Sequence, residues 1–593
     1  MKRSHRLATL GVALACVVAG VAVVVSAAQP PRADRWKKVD EAVNKGLPKT
    51  AITELEPIIE SAIKDKAYPE AIKAIAKKIS LEGNIEGNKP EEKITRMHAA
   101  IATAPAEMHP VMNAILAHWY WHYFQQNRWR FTQRTATGES PGTDIQTWDL
   151  PRIFAEIDKT FDKALANDKE LKATPVAQYD ILFTKGSIPD KYRPTLFDVL
   201  AFDALNFYTS AEQAGAKPQD NFELDANSPV FGSVEDFLKW EPKTTDANNK
   251  TVKGIALYKK LLAFHQGDEE KSALLDADLH RLRFGWNKAV GDTKSAKYKA
   301  ALEAFAKANS GHELFAMAQY QLAGVVQGEG DLVKARDIAL GGQKAFPDSP
   351  GGKLCYNLVQ QIESKYAGTT TERVWADPLP TIKVTYKNVT KAYFRVVSAD
   401  YVERLKATRW RPEQLQHEEA KALLNQKPVM EFSHDLPATS DYKTRTEIIP
   451  GRAGLKPGFY YLIVSHDENF GAADNSVNYT DFWVSDLALV NRHNHSKIEM
   501  AGMVTDNRTG TPIDGAKVQL WTHGNNGGWN VGETATTDKD GLYKIASADQ
   551  KAHRVVVTHK DQQLSSASDT ATYRYDHAER DTEQRALEGV DDE

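Results

Sequence analysis

The chain has 593 residues, of which 41% are hydrophobic and 26% charged, and its formal net charge is −4. At about 100–200 residues per domain this length predicts three to five domains; the composition excludes global disorder, and the charge balance excludes a protein drawn as a whole to nucleic acid. The only cysteines, Cys16 and Cys355, exclude a disulfide-knitted fold and a zinc site of several thiolates.

Residues 1–29 read as a targeting segment. Lys2, Arg3, His5 and Arg6 precede Leu10–Ala28, 19 residues without a charge, and the small residues Ser26, Ala27 and Ala28 precede Gln29. A basic start, an apolar stretch and small residues fit a cleaved export signal, and residues 10–28 are also nearly long enough to stay in a bilayer as an anchor. A third reading is lipidation at Cys16, because Ala13-Leu14-Ala15-Cys16 resembles a lipoprotein cleavage box. Each places the mature chain outside the cytoplasm, in the periplasm or cell envelope, with membrane contact only through this segment.

Residues 34–368 are expected to be helical. Ala51, Ile52, Leu55, Ile58, Ile59, Ala62 and Ile63 recur at three- and four-residue steps, and Ala71, Ile72, Ile75, Ala76 and Ile79 repeat the pattern after a break at Tyr68-Pro69. His118 and His122 lie one helical turn apart within the aromatic run Trp119, Tyr120, Trp121, Tyr123, Phe124, Trp129 and Phe131. A zinc-protease motif needs Glu after the first His, and Trp119 stands there, so an aromatic core is the expected role. Asp225–Lys253 reads as a long polar loop with one short helix near Val234–Trp240. Further on, Leu314, Phe315, Ala318, Leu322 and Val325 form a stripe. Gly328–Gly330 breaks it, and Leu332, Ala335, Ile338 and Ala339 form the next. Cys355, among apolar neighbours, is expected to be buried.

Character changes over Thr369–Pro380. Ile382, Val384 and Tyr386 alternate with Lys383, Thr385 and Lys387 as a half-buried strand. Ala392–Val397 follows, Arg404–Leu424 is an insertion with helical spacing, and Phe459–Val464 and Phe482–Val490 are further strands, predicting a β-sandwich over 376–492. His466-Asp467-Glu468, at a strand end, has no nucleophile in a matching motif. A second sandwich is expected over 496–575. His493 and His495 precede it as linker residues. Asp506–Gly510, Ile513–Ala516 and Thr536–Gly541 carry turn chemistry. Asp538 and Asp540 lack the further ligands of a calcium loop and read as turn residues. Residues 576–593 hold eight acidic and two basic residues and are expected to be a solvated tail.

Three resemblances follow from these residues. Leu322-Ala323, Ala335 and Pro347 fall at the spacing of a tetratricopeptide repeat, with Gly342 where Ala is usual, and Ser349-Pro350 resembles a cap and first position of the next helix. Residues 496–575 resemble the carboxypeptidase regulatory-like domain, a non-catalytic transthyretin-like sandwich. Trp36–Ala42, Lys45–Ala51, His118–Arg130, Pro380–Val396, Leu455–Val464 and Asp481–Val490, in this domain order, resemble the N-terminal portion of bacterial alpha-2-macroglobulin-like proteins.

That last resemblance implies a protease-trapping relative. The covalent thioester of that family is not expected here, since neither cysteine stands in a Cys-x-Glu-Gln motif and the later macroglobulin domains are missing, as in a truncated gene product. The expected fold class is multidomain α then β: an N-terminal TPR-like helical region followed by two antiparallel β-sandwich domains. The expected function is that of a non-catalytic envelope protein with no cofactor and no metal, whose partner is a protease or a downstream macroglobulin-like chain. The alternative is an independent extracytoplasmic scaffold that binds peptide or glycan. No catalytic, cofactor-binding or metal residue is expected.

Overall fold

The computed structural model describes residues 32–571 except 88, 134–141, 143, 185, 211, 213–221, 247–248, 410, 472–474, 495–498, 525–526, 548–550 and 568–569, and of the side chains of 493, 494, 570 and 571 nothing is said. The expectations for residues 1–29, for His495 and for 576–593 fall outside the described residues. Among the described residues no helix is long and apolar enough to cross a membrane. The architecture is helical first and then built of β-sheets, as the fold class expected. The chain divides into two compact units, Met1–Leu302 and Glu303–Glu593.

Prolines set the helix starts in the first unit. Pro48, Pro69, Pro90 and Pro110 each sit in the first turn of a helix: Pro48–Lys64, Tyr68–Ile85, Pro90–Thr103 and His109–Gln126. The missing N–H of proline costs nothing there and its fixed φ suits the helix. Ala51, Leu55, Ile58 and Ala62 of the first are buried, as their spacing required. In the first turn of the helix Tyr68–Ile85, Glu70 is buried because it accepts from Trp36 Nε1 at 2.8 Å and from Arg32 Nη2 at 2.7 Å. Asp225–Lys253 differs in part from the expected loop: Val234–Lys239 is the short helix, but Lys250–His265 is a second helix, started by Asn249 Oδ1 accepting from Thr251 N. Buried Arg281 holds the remainder in place, donating to Val230 O at 3.1 Å, Gly232 O at 3.0 Å and Asp278 Oδ1 at 2.8 Å.

The second unit opens with three helices, Leu314–Gly328, Leu332–Ala345 and Pro350–Glu363. Ser349 caps the third, its Oγ accepting from Gly352 N at 3.0 Å, with Pro350 in the first turn. Gly342, the departure from the repeat pattern, has a steric reason. A Cβ there would lie 2.7 Å from Cys355 Sγ and 3.0 Å from Gln319 Cβ. Gly342→Ala should therefore destabilise this unit by about 1–3 kcal/mol through overpacking. A urea titration followed by circular dichroism reads the loss, and an unchanged midpoint would show that the helices relax apart freely.

The β-part comprises β1 (Tyr366–Thr371), β2 (Val374–Trp375), β3 (Thr381–Lys387), β4 (Lys391–Ala399), β5 (Met430–Asp435), β6 (Arg445–Pro450), β7 (Gly458–Ser465), β8 (Asn478–Val484), β9 (Leu487–Asn494), β10 (Glu499–Asp506), β11 (Lys517–His523), β12 (Trp529–Thr536), β13 (Leu542–Ala546), β14 (Ala552–His559), β15 (Gln562–Ser565) and β16 (Thr570–Ala571). The threonine run at 369–371 is therefore strand, in keeping with the β preference of branched side chains. The sheets run β1-β3-β6, β2-β8-β7-β4-β5, β13-β10-β9 and β12-β11-β14-β15, with β16 beside β14. All pairings are antiparallel except β2 with β8. In β3 the alternation predicted from Ile382, Val384 and Tyr386 is present, all three being buried.

The β2-β8-β7-β4-β5 sheet is covered on both faces. Phe394, Val396, Tyr460, Leu462, Val464 and Phe482 face the core shared with β1-β3-β6. Val397, Phe459, Tyr461, Ile463 and Trp483, the alternate residues, enter a second core with Met500, Val518, Trp521 and Val557. The unbroken apolar run of β7 is what a strand buried on both sides requires. The two sandwiches thus share a core, which their sequences did not disclose.

Candidate functional site

Most residues with conspicuous chemistry serve local structure. His118 Nε2 lies 3.2 Å from Asp203 Oδ2 and its ring stacks on Trp121, whereas His122 Nε2 is 2.9 Å from Gln126 Nε2; the two imidazoles do not converge. The surrounding aromatic run is core, with Tyr120, Tyr123, Phe124 and Phe131 buried and Trp129 exposed. Cys355 is buried, its thiol donates to Ala316 O at 3.3 Å, and burial pushes its pKa up to about 12. Asp467 closes the turn after β7, accepting from Gly471 N at 2.7 Å. Asp538 Oδ1 accepts from Asp540 N at 3.0 Å and Leu542 N at 2.9 Å, and Gly541 at φ 72° completes that turn. Asp506 does the same before Gly510. Hydrogen bonds from Thr509 hold its carboxyl below the usual range. His493 lies in β9. Among the described residues no group of three or more His, Cys, Asp or Glu could hold a metal ion.

Two constellations join residues far apart in sequence. The first lies in the seam between the two β-layers. The insertion contains helices Tyr401–Ala407 and His417–Leu424, and the segment between them carries Glu413 into the interior. Glu413 Oε1 accepts from Arg554 Nη1 and from Tyr401 Oη, the latter at 2.9 Å. Arg554 also donates to Tyr401 Oη at 2.6 Å, and Ser565 Oγ donates to the same oxygen at 3.0 Å. Arg373 Nη2 donates to the Ser565 and Ser566 carbonyls at 2.8 and 2.9 Å. Arg404 Nε and Tyr461 Oη hold the Pro412 carbonyl, fixing the segment. Burial pushes the Tyr401 phenol well above its ordinary range, so it stays a neutral hydrogen-bonding group.

The second is a cleft of about 580 Å³ in the helical unit, enclosed by the helices Pro90–Thr103, His109–Gln126 and Leu150–Ala164 and the turn Ile145–Thr147. Tyr120 and Trp148 stack along one side, with ring centroids 5.8 Å apart and planes at 18°. His98 Nε2 lies 2.8 Å from Tyr120 Oη. Burial lowers the His98 pKa, so this imidazole is neutral at pH 7. Arg152 lies over Trp148, 5.0 Å from the ring centroid, and one turn along the same helix comes Glu156. Gln146 Nε2 donates to Glu91 Oε1 at 2.7 Å across the mouth. Sequence reasoning missed this group. The i, i+4 pair Arg152/Glu156 was visible, but nothing in the linear pattern placed it beside His98 and Trp148.

Fold and sites together define a class: a multidomain protein with a helical region continued by layered antiparallel β-sheets. No protein-family model and no curated protein matches the chain. Solved structures similar to part of it include a crystal structure of native alpha-2-macroglobulin from Escherichia coli spanning domains MG0-NIE-MG1, at 15% identity over 34% of this chain and 64% of that one, with a TM-score of 0.27. A second spans domains NIE-MG1 of the same protein, at 14% identity over 34% of this chain and 97% of that one, with a TM-score of 0.28. A reconstruction by electron cryo-microscopy of its native conformation matches at 14% identity, over 34% of this chain and 12% of that one, with a TM-score of 0.22. The chain thus spans less than two thirds of the first of these fragments.

Proposed function

We propose that this chain is a non-catalytic cell-envelope protein resembling the N-terminal part of an alpha-2-macroglobulin-like endopeptidase inhibitor, and that it acts by presenting docking surfaces to a protease or to a companion macroglobulin-like chain. The observation that carries this reading is the shared core of the β-layers, locked by Glu413 and Arg554. It makes the β-part a single stiff body, suited to holding surfaces in fixed relation. Of the segments Leu455–Val464 and Asp481–Val490, the first carries β7, in the middle of its sheet, and the second carries β8 beside it and part of β9, the edge strand of the β13-β10-β9 sheet. Without a thioester, inhibition would be steric or would need the companion chain. Affinity capture from envelope extract with the folded full-length chain should recover a protease or a macroglobulin-like chain, and recovery of neither would overturn the reading. The helical cleft favours the second reading, an extracytoplasmic scaffold that binds peptide or glycan.

A further inference from the structure

The cleft between Tyr120, Trp148 and the Leu150–Ala164 helix holds two opposite charges that the fold leaves without hydrogen bonds. Glu156 is about nine-tenths buried. Its carboxylate faces the cleft, and its only charged neighbours among the described residues are Arg152 Nη2 at 3.7 Å and Lys159 Nζ at 3.6 Å, both beyond hydrogen-bonding distance. Arg152 is more open, its side chain 37% exposed, but its guanidinium rests on Trp148 and its Nε is buried with no hydrogen-bond partner. Leaving the Glu156 carboxylate and the Arg152 Nε unmade is costly, because each has given up water without gaining a full replacement. The other acids are committed or peripheral. Asp144 Oδ1 accepts from Gln146 N, and Glu91 accepts from the Gln146 side chain.

We infer that this cleft binds a small zwitterion of the free amino-acid class, its ammonium group donating to Glu156 and its carboxylate accepting from Arg152; the two protein groups lie 3.7 Å apart, a spacing that suits the adjacent charges of one amino acid and not the separated termini of a peptide. A ligand carrying both charges completes both groups at once. A simple cation would leave the guanidinium unmade, and a simple anion would leave Glu156 unmade. The stacked Tyr120–Trp148 pair and Ile94 and Ile145 supply an apolar surface for the ligand's carbon skeleton. Neutral His98 and the Tyr120 hydroxyl offer neutral polar groups. A volume of about 580 Å³ lies within the range of small-molecule sites. This inference concerns the helical unit alone and stands or falls separately from the macroglobulin-like reading.

The test is calorimetric titration of the full chain with L-alanine, L-leucine, N-acetyl-L-leucine and L-leucine amide. Saturable binding of a free zwitterion is expected at millimolar concentration or below, with acetylation and amidation each weakening it about tenfold or more, the cost of one charge-assisted contact. Glu156→Gln and Arg152→Gln should each reduce affinity about as much while the thermal melt of the helical unit is retained. No saturable binding of either zwitterion would overturn the inference. Equal binding of the capped amino acids to the native chain would also overturn it, and that outcome needs no variant to fold.

Discussion

Replacing Glu413 with alanine should lower the stability of the β-unit by about 3–5 kcal/mol, the range expected when one partner of a buried ion pair is removed. Arg554 is 1% exposed, so its charge depends on Glu413 for compensation. Its guanidinium would keep Tyr401 Oη and its place over the Trp529 ring but lose its carboxylate, and Tyr401 would lose its acceptor as well. The pair is not expected to be stabilising in net terms, since its desolvation offsets most of its attraction. A double replacement, Glu413→Leu with Arg554→Met, should therefore recover most of the loss. The measurement is urea unfolding followed by near-ultraviolet circular dichroism of the tryptophans in the shared core, Trp483 and Trp521. A loss under about 1 kcal/mol for Glu413→Ala would show that the insertion undocks locally and that the seam is not a single cooperative unit.

Why the seam escaped sequence reading is physical. Glu413 and Arg554 are 141 residues apart, and a lone Glu in a polar insertion and a lone Arg in a β-branched strand carry no local signature of each other. The strands themselves were legible because period-two alternation is local: Ile382, Val384 and Tyr386 need only their own neighbours. β7 was legible as a strand from Phe459–Val464, yet its continuous apolar run also meant burial on both faces, and that second implication was the clue to the shared core. In the helices, the three- and four-residue steps gave the buried faces, and the first-turn prolines at 48, 90 and 110 carry the same boundary signal as the break at Tyr68-Pro69. Gly342 looked like a weakening of the repeat, and the contact with Cys355 shows it to be the repeat's adaptation to a larger neighbour. The cleft was the least legible element, because its chemistry lies in what Arg152 and Glu156 fail to bond.

The contribution of His265 to the stability of the helical unit should fall as pH is raised above about 6.5. This imidazole is 1% exposed and lies between two carboxylates, with Nε2 2.7 Å from Asp198 Oδ1 and Nδ1 2.7 Å from Asp268 Oδ2. Burial alone would lower its pKa, but the bonds to Asp198 and then Asp268 outweigh it, and the net direction is upward. The folded state therefore holds this proton more tightly than the unfolded chain, whose histidine titrates near 6.5. The contribution is complete below that value and is lost as pH rises through the folded pKa. Nearby groups act at lower pH and oppose one another. Burial lifts Asp276 to about 6, which makes stability fall with rising pH below that point, while burial lowers His280 to about 3, which makes it rise over much of the same range. His280 and His98, whose pKa burial lowers, add a rising contribution until the unfolded chain's histidines near 6.5 have lost their protons, so the His265 contribution is read as the difference between the native profile and that of His265→Gln. His265→Ala should cost about 3 kcal/mol at pH 6, the low end for a broken buried pair, because the Thr195 N–H and hydroxyl still bond Asp198 Oδ2. A difference between the two profiles that is level or rising with pH above 6.5 would mean that His265 is neutral in the folded chain, with one of its two carboxylates carrying the proton instead.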